Sequence, residues 1–265
     1  MKKNIKQLND TKVRALIGST AALILLISVF LLVYGIYGWA FITTEPIKNY
    51  KADLYDKASE NAEGGGVVFF GDSLTEMYDL DEHYPDLKVF NRGISGDTTD
   101  HMLKRLKGNV IALKPDVVVF LGGCNDLRHG AQEDVVLENI SNIIATLKSE
   151  LDGVKVIVQS LYPINTRNDG IFKNMPGECT VEKLENVNAG IAALCEEYGV
   201  TFVNMYPLLA SSAGDIRPEL VLPDGLHLRP NGYDLVTKTL RPFLDAALSA
   251  QTNNFIISGS ERSLT

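Results

Sequence analysis

Five short apolar runs alternate with longer helical patterns between residues 67 and 248, and this alternation restricts the chain to few folds. The runs are rich in Val, Ile and Phe, as strands of a parallel sheet that is covered on both faces require. Helix-like periodicity between the runs predicts βαβ units and a doubly wound α/β domain. The runs are VVFF (67–70), LKVF (87–90), DVVVFL (116–121), VKVIVQSL (154–161) and TFVNMY (201–206).

Polar and glycine-containing loops follow four of these runs. They are GDSL (71–74), NRGISGDTTD (91–100), GGCNDLRHG (122–130) and LPDGLHLRPNGY (222–233). Ligands of open α/β sheets bind outside the carboxyl ends of the strands. We therefore expect a serine, an asparagine, a glycine turn and an Asp-x-x-His pair to converge at one edge of the sheet.

This set of residue types matches the chemical requirements of acyl transfer. A serine hydroxyl is a weak nucleophile until a base takes its proton, and a third group holds that base in the right tautomer. The reaction also builds negative charge on the former carbonyl oxygen, which needs fixed N–H donors. Alone, Ser73 could instead cap a helix, and Asn125 could be a turn former.

Gly-Asp-Ser-Leu, a glycine, Gly-x-Asn-Asp and Asp-x-x-His, in this order, resemble the motifs of the GDSL, or SGNH, hydrolase family. The resemblance implies that Ser73 is the nucleophile, His227 the base and Asp224 its partner. It implies an oxyanion hole formed by the Ser73 and Gly96 N–H groups and the Asn125 side chain. It also implies a three-layer α/β/α fold resembling flavodoxin, with five parallel strands and no metal or organic cofactor.

Two of these assignments have a competitor in the sequence. Asp-x-x-His occurs twice, at Asp126–His129 and at Asp224–His227, and the order of the family motifs favours the second. The role of His129 stays open, although we expect it to lie on a loop at the rim of the site. Gly93 lies three residues before Gly96 and competes with it for the oxyanion role.

An uncharged segment of 30 residues, 15–44, precedes the domain and predicts a membrane anchor. About 20 apolar residues span a bilayer, whereas the apolar region of a signal peptide has about 7–15. Cleavage at Gly38-Trp39-Ala40 is the alternative. Residues 1–14 carry five basic residues and one acidic residue. This bias predicts a single-pass cell membrane protein with a cytoplasmic N-terminus and an extracytoplasmic catalytic domain.

The domain organisation follows from these segments. Ile47, Tyr50, Leu54 and Ala58 have helical spacing, and three glycines then end the pattern, which indicates a stalk. The predicted order is a cytoplasmic tail (1–14), a transmembrane signal anchor (15–44), a stalk (45–63), the hydrolase domain (64–250) and a C-terminal tail (251–265), which is a candidate for disorder.

Charge and cysteine content exclude some functions. The net charge is −8, of which residues 1–14 contribute +4, so residues 45–265 carry −12 and do not suit nucleic acid. We expect no disulfide or metal site from Cys124, Cys179 and Cys195, whose spacing matches neither. Nothing in the sequence indicates the oligomeric state.

The sequence thus predicts a membrane-anchored serine ester hydrolase. The anchor predicts an ester of an envelope glycan or lipid as the substrate, and the polar loop 162–180 favours a short acyl group on a polar alcohol. Thioesterase or acyltransferase activity stays open. An inactive membrane-tethered scaffold on the same fold is the alternative. A nucleotide-binding module is disfavoured, because GDSLTE (71–76) is not a glycine-rich phosphate loop. The absence of Gly-x-Ser-x-Gly disfavours the α/β-hydrolase elbow.

Overall fold

A five-stranded, all-parallel sheet with the strand order β2-β1-β3-β4-β5 forms the centre of the domain. The structure, a computed structural model, describes Thr20 and residues 22–31, 45–167 and 177–262. The strands are β1 (Val67–Gly71), β2 (Val89–Gly93), β3 (Val117–Leu121), β4 (Lys155–Gln159) and β5 (Thr201–Val203). The predicted α/β fold with a parallel sheet of five strands is confirmed.

Helices cover both faces of the sheet. They are α1 (Glu45–Glu60), α2 (Ser73–Glu76), α3 (Leu80–His83), α4 (Thr99–Asn109), α5 (Cys124–Arg128), α6 (Glu133–Glu150), α7 (Val181–Tyr198), α8 (Tyr206–Leu209) and α9 (Pro230–Arg262). Two 3₁₀ turns lie at Ile111–Leu113 and Pro218–Leu220.

Alternate residues of each strand enter two separate apolar cores, one on each face. Val68 and Phe70 of β1 pack with α4, α6 and α7, whereas Val67 and Phe69 pack with α9. Because both faces are covered, the strands are apolar throughout rather than alternating. All the strands run in the same direction, so the loops that follow them meet where the carboxyl ends of the strands lie. We call this end of the sheet the catalytic edge.

Strand β2 begins and ends later than the predicted run 87–90. It continues through Asn91, Arg92 and Gly93, which the sequence assigned to a loop. As an edge strand, β2 can hold polar side chains that bond to neighbouring segments. The Asn91 Nδ2 atom donates to the carbonyl oxygens of Thr75 at 2.8 Å and Tyr78 at 3.1 Å. Pairing with β1 aligns Gly93 with Gly71.

The interval predicted as a stalk is helix α1, and from Lys48 onward it belongs to the same compact unit as the sheet. The Tyr55 hydroxyl donates to the Gly93 carbonyl at 3.1 Å, and the Asn109 Nδ2 atom donates to the Ala52 carbonyl at 2.9 Å. The Arg92 guanidinium lies 4.8 Å from the centre of the Tyr55 ring. Polar contacts thus fix this helix on the domain, and it is not a free spacer.

Parts of the predicted anchor, tail and polar loop lie outside the described residues. Thr20 and residues 22–31 are helical and exposed, and no helix within the described ranges is both long and apolar enough to cross a bilayer. The rest of 15–44, residues 1–14 and residues 168–176 of the polar loop are not described. Helix α9 continues to Arg262, so most of the predicted tail 251–265 is helical.

Candidate active site

Ser73 is the first residue of α2 and directly follows Asp72 at the end of β1. The N-cap of this helix is Asp72, whose Oδ1 atom accepts a hydrogen bond from the Leu74 N–H at 2.9 Å. The helix therefore does not use Ser73 as its cap. The Ser73 side chain is buried, and its hydroxyl bonds to a residue from the other end of the domain.

A chain of hydrogen bonds joins Ser73, His227 and Asp224. The His227 Nε2 atom lies 2.9 Å from Ser73 Oγ, and His227 Nδ1 lies 2.7 Å from Asp224 Oδ2. This arrangement has the geometry that activates a serine hydroxyl through a histidine base.

The loop between β5 and α9 builds the Asp224–His227 pair locally. The Asp224 Oδ1 atom accepts hydrogen bonds from the N–H groups of Leu226 and His227, both at 3.0 Å. Gly225 has a φ of 76°, in the left-handed region where glycine is favoured. A side chain at this position would meet Asn165, because an added Cβ would lie 2.7 Å from the Asn165 Cβ.

Asp224 is held in the ionised form. Partial burial alone would raise its pKa, but hydrogen bonds from the His227 ring and from the backbone of Leu226 and His227 lower the pKa below its ordinary value. An ionised carboxylate only accepts hydrogen bonds, so the proton of the His227 ring lies on Nδ1. The Nε2 atom is then left to accept the proton of Ser73.

The second Asp-x-x-His sequence does not form such a pair. The carboxylate of Asp126 accepts hydrogen bonds from the Thr99 N–H at 3.1 and 3.0 Å and from the Thr99 hydroxyl at 2.5 Å. His129 is exposed at the end of α5. Burial of part of the ring, followed by the charge of Arg128, lowers the pKa of His129. Asp126 thus anchors the start of α4.

Asn125 lies between the two loops that carry the other candidate oxyanion donors. It follows β3, the neighbour of β1 at the point where the strand order reverses, which is where such sheets bind ligands. The Asn125 Nδ2 atom donates to the Asp97 carbonyl at 2.9 Å and lies 3.5 Å from Asp72 Oδ2. Asp97 adjoins Gly96, and Asp72 adjoins Ser73.

The orientation of the Asn125 amide is fixed by Arg128. The Arg128 guanidinium donates to Asn125 Oδ1 at 2.8 Å, so Nδ2 faces the loops after β1 and β2. No backbone hydrogen bond within the described residues uses the N–H of Ser73 or Gly96. By contrast, the Gly93 N–H donates to Asn91 Oδ1 at 2.9 Å. Of the two glycines, Gly96 is the one whose N–H has no hydrogen-bond partner in the described part of the chain.

A buried ion pair that the sequence did not indicate supports these loops. The Arg105 Nε atom donates to Asp97 Oδ2 at 2.6 Å, and the same guanidinium donates to the carbonyls of Gly71 and Arg92, both at 2.9 Å. Arg105 therefore ties the ends of β1 and β2 to the turn that carries Gly96. In the sequence, the only indication that Arg105 is buried was its position next to Leu106 on the apolar face of α4.

The described residues contain no cluster of three or more His, Cys, Asp or Glu side chains arranged to hold a metal ion.

The chain is similar to known proteins in sequence and in fold. Residues 69–235 match the model of the GDSL-like Lipase/Acylhydrolase family. The platelet-activating factor acetylhydrolase IB subunit alpha1 of Homo sapiens is 30% identical over 201 residues, which cover 74% of this chain and 79% of that protein. The alpha2 subunit of Homo sapiens is 36% identical over 188 residues, with coverages of 67% and 75%.

A GDSL-like lipase from Bacteroides thetaiotaomicron is a solved structure with the same fold. It superposes with a TM-score of 0.66 at 25% identity, covering 74% of this chain and 98% of the lipase.

Proposed function

The chain belongs to the GDSL-like lipase/acylhydrolase family and is a carboxylic ester hydrolase, and from this premise we propose that it works through an acyl-enzyme on Ser73. One observation carries the proposal: the hydrogen-bond chain from Ser73 Oγ through His227 to Asp224, with distances of 2.9 and 2.7 Å. In the sequence, Ser73 lies 154 residues from His227, and Asp224 lies 3 residues from it. Such a contact between distant segments is expected for a working site rather than for local capping.

Acylation begins when His227 Nε2 takes the proton of Ser73. The serine oxygen attacks the ester carbonyl, and the carbonyl oxygen becomes an oxyanion. The N–H groups of Ser73 and Gly96 and the Nδ2 of Asn125 are the donors that we assign to it. Asp224 stabilises the imidazolium ring that forms at His227.

Collapse of this intermediate breaks the ester bond. His227 returns its proton to the departing alcohol, and the acyl group stays on Ser73 as an ester. A water molecule then loses a proton to His227 and attacks the acyl carbonyl. The bond to Ser73 Oγ breaks, His227 returns the proton to that oxygen, and the carboxylic acid leaves.

We propose a short acyl group on a glycan or lipid of the cell envelope as the substrate. The two Homo sapiens relatives are named acetylhydrolases, and acetyl is the shortest common acyl group. The polar sequence of loop 162–180 gives independent support, because a pocket for a long acyl chain needs apolar walls.

We further propose that residues 15–44 anchor the enzyme in the cell membrane, with the catalytic domain outside the cytoplasm. The support is the length of the uncharged segment and the excess of basic residues before it.

Hydrolysis of p-nitrophenyl acetate by the full-length chain in detergent tests the mechanism. We expect Ser73→Ala and His227→Ala to lower kcat by about 10⁴-fold or more, because nucleophile and base act as one unit. His129→Ala is the matched control, and we expect it to keep nearly full activity. Equal rates for the wild type and Ser73→Ala would overturn the proposal.

A series of esters with different acyl groups measures the acyl chain length that the enzyme prefers. Rates on p-nitrophenyl esters are expected to be highest for short acyl groups. A maximum at about eight carbons or more would contradict the short-acyl part of the proposal, because it would require an extended apolar pocket.

A further inference from the structure

Helix α1 brings the chain onto the domain at the catalytic edge. The Lys48 Nζ atom lies 3.3 Å from His101 Nδ1, and His101 belongs to the first turn of α4. Lys51 forms an ion pair with Glu76, the last residue of the helix that Ser73 begins. The part of α1 that belongs to the domain thus contacts the catalytic edge, and in the sequence this helix directly follows the uncharged segment 15–44.

Most of the exposed large apolar side chains of the domain lie at this same edge. Among described residues 48–167 and 177–250, six such side chains are exposed: Tyr50, Leu54, Met77, Val135, Leu208 and Phe243. Four of them, Tyr50, Met77, Val135 and Leu208, lie close to the catalytic edge, and we call them the apolar rim. Leu54 and Phe243 lie farther from it.

Contacts place the rim residues. Tyr50 is next to Lys51 on α1, and the Lys51 side chain pairs with Glu76. Leu54 is not part of the rim, because Ala52 and Asp56 on either side of it bond to Asn109, the last residue of α4. The Met77 N–H donates to the Ser73 carbonyl at 3.0 Å, so Met77 lies one helical turn from the proposed nucleophile.

Val135 and Leu208 occupy the other side of the rim. Val135 is in the first turn of α6, and Asn139 of the next turn donates to the Thr99 hydroxyl at 3.0 Å, where α4 begins. Leu208 belongs to α8, whose first N–H, at Tyr206, donates to Ser160 Oγ at 3.0 Å, directly beyond the end of β4.

Phe243 lies at the opposite edge. Its neighbour Arg241 donates to both carboxylate oxygens of Asp86, at 2.8 and 2.6 Å, and Asp86 precedes the start of β2. Phe243 is therefore a natural control, since it is exposed and apolar but remote from the active site.

We propose that the apolar rim seats the catalytic edge on the surface of a lipid bilayer, so that the ester reaches Ser73 from a membrane-resident molecule. This inference rests on the proposed function, and it narrows the substrate to an ester carried at the membrane. Scattered exposed apolar residues are ordinary, but a set concentrated around one active site marks an interaction surface. The 30-residue uncharged segment 15–44 precedes α1 in the sequence, and as the proposed membrane anchor it indicates that the partner is lipid rather than another protein.

The net charge of the catalytic domain restricts which lipid headgroups it can approach. Residues 45–265 carry a net charge of −12, which opposes approach to an anionic surface. The rim contributes contact through apolar and aromatic groups, which enter the interface of zwitterionic lipids without a charge requirement. Phosphatidylcholine vesicles are therefore the appropriate probe.

Labelling with a membrane-impermeant maleimide tests the seating without reference to catalysis. The natural cysteines, Cys124, Cys179 and Cys195, are all buried, so Val135→Cys and Phe243→Cys each provide one reactive site. These positions are similarly exposed, at 47% and 39%. With the full-length protein in phosphatidylcholine vesicles, we expect Val135→Cys to react at least about fivefold more slowly than Phe243→Cys. Similar rates in the vesicles would overturn the inference.

A ratio of two activities gives the second test. The rates on p-nitrophenyl acetate in solution and on the acetyl ester of a long-chain alcohol in the vesicles are compared for Met77→Ser, Leu208→Ser and the control Phe243→Ser. We expect the vesicle-to-solution ratio to fall about fivefold or more for the two rim variants and to stay at the wild-type value for Phe243→Ser.

The outcomes separate the two proposals. If all three variants keep the wild-type ratio, the ester is reached from solution and the seating is wrong. If the wild type cleaves neither ester, the proposed function fails, and the maleimide rates still decide whether the edge lies on lipid.

Discussion

Asp72 is a fully buried carboxylate one residue before the proposed nucleophile, and it lowers the stability of the folded state at neutral pH. Burial raises the pKa of Asp72 from its ordinary value near 3.8 to about 6, although the hydrogen bond from Leu74 opposes the rise. Between these two values the folded state binds a proton more tightly than the unfolded state. The stability contributed by the protonated form is full below pH 3.8 and is lost as the pH rises through about 6.

Asp72→Asn tests this linkage. Asparagine keeps the side-chain oxygen that caps α2 and removes the buried charge. We expect the variant to raise the free energy of unfolding by about 1–3 kcal/mol at pH 7.5 and by almost nothing near pH 4. Urea unfolding at both pH values measures the difference. An equal gain at the two pH values would mean that packing, and not charge, caused it.

The proposed role of Asn125 in the oxyanion hole can be tested separately from its effect on stability. We expect Asn125→Ala to lower kcat by about 10²–10³-fold with little change in KM, because the oxyanion exists only in the transition state. Asn139→Ala is the control, since this amide bonds to Thr99 at the same edge without approaching Ser73. A loss of activity that follows the loss of stability in both variants would contradict the oxyanion role.

Helix α1 illustrates what hydrophobic periodicity does not reveal about an element. Tyr50 and Leu54 are among the apolar residues whose spacing predicted a helix, but both are exposed, and the buried residues are Lys48 and Ser59. The helix is held by side-chain contacts to the Gly93 carbonyl, to Asn109 and to Glu76. Such partners are distant in the sequence, so a stalk was the natural interpretation.

The strands and the loop motifs could be predicted from the sequence, because their patterns are local and do not depend on distant partners. Strands buried on both faces, such as β1 and β3, must be apolar throughout, and this pattern can be read directly. The convergence of the motif loops follows from parallel strands alone. The Asp97–Arg105 pair could not be predicted, because nothing in the spacing of these two residues shows that the guanidinium turns inward toward the strand ends.

Glu76 links α1 to the turn that carries Gly96, which gives a test at the level of elements. The Glu76 Oε2 atom accepts a hydrogen bond from the Ser95 N–H at 2.6 Å, while Oε1 pairs with Lys51. We expect Glu76→Ala to lower kcat on p-nitrophenyl acetate by roughly tenfold at similar KM, because a hydrogen bond to a charged group contributes about 1.5–3 kcal/mol.

Lys51→Met is the control for this prediction. It removes the partly exposed ion pair and leaves the bond between Glu76 and Ser95 in place, so we expect less than about a fivefold change in kcat. Equal losses in the two variants would show that docking of α1 matters and the bond to Ser95 does not.

At the scale of the whole molecule, charge is divided unevenly along the chain. Residues 1–14 carry +4 and residues 45–265 carry −12, on either side of an uncharged segment. The basic end is expected to stay in the cytoplasm. Protease added to intact cells should therefore digest the catalytic domain and leave a cytoplasmic control protein whole. Digestion only after lysis would reverse the predicted topology.

One contact between segments that are far apart in the sequence completes the candidate active site. Asp224 and His227 meet within a single turn of backbone, whereas His227 and Ser73 are 154 residues apart. Closing such a loop is slow, because most of the parallel sheet must pair before the two ends meet. The rate at which a fluorophosphonate labels Ser73 during refolding would therefore report when the site forms. A molecule becomes reactive only after the segment that follows β1 has come into contact with the loop that carries His227.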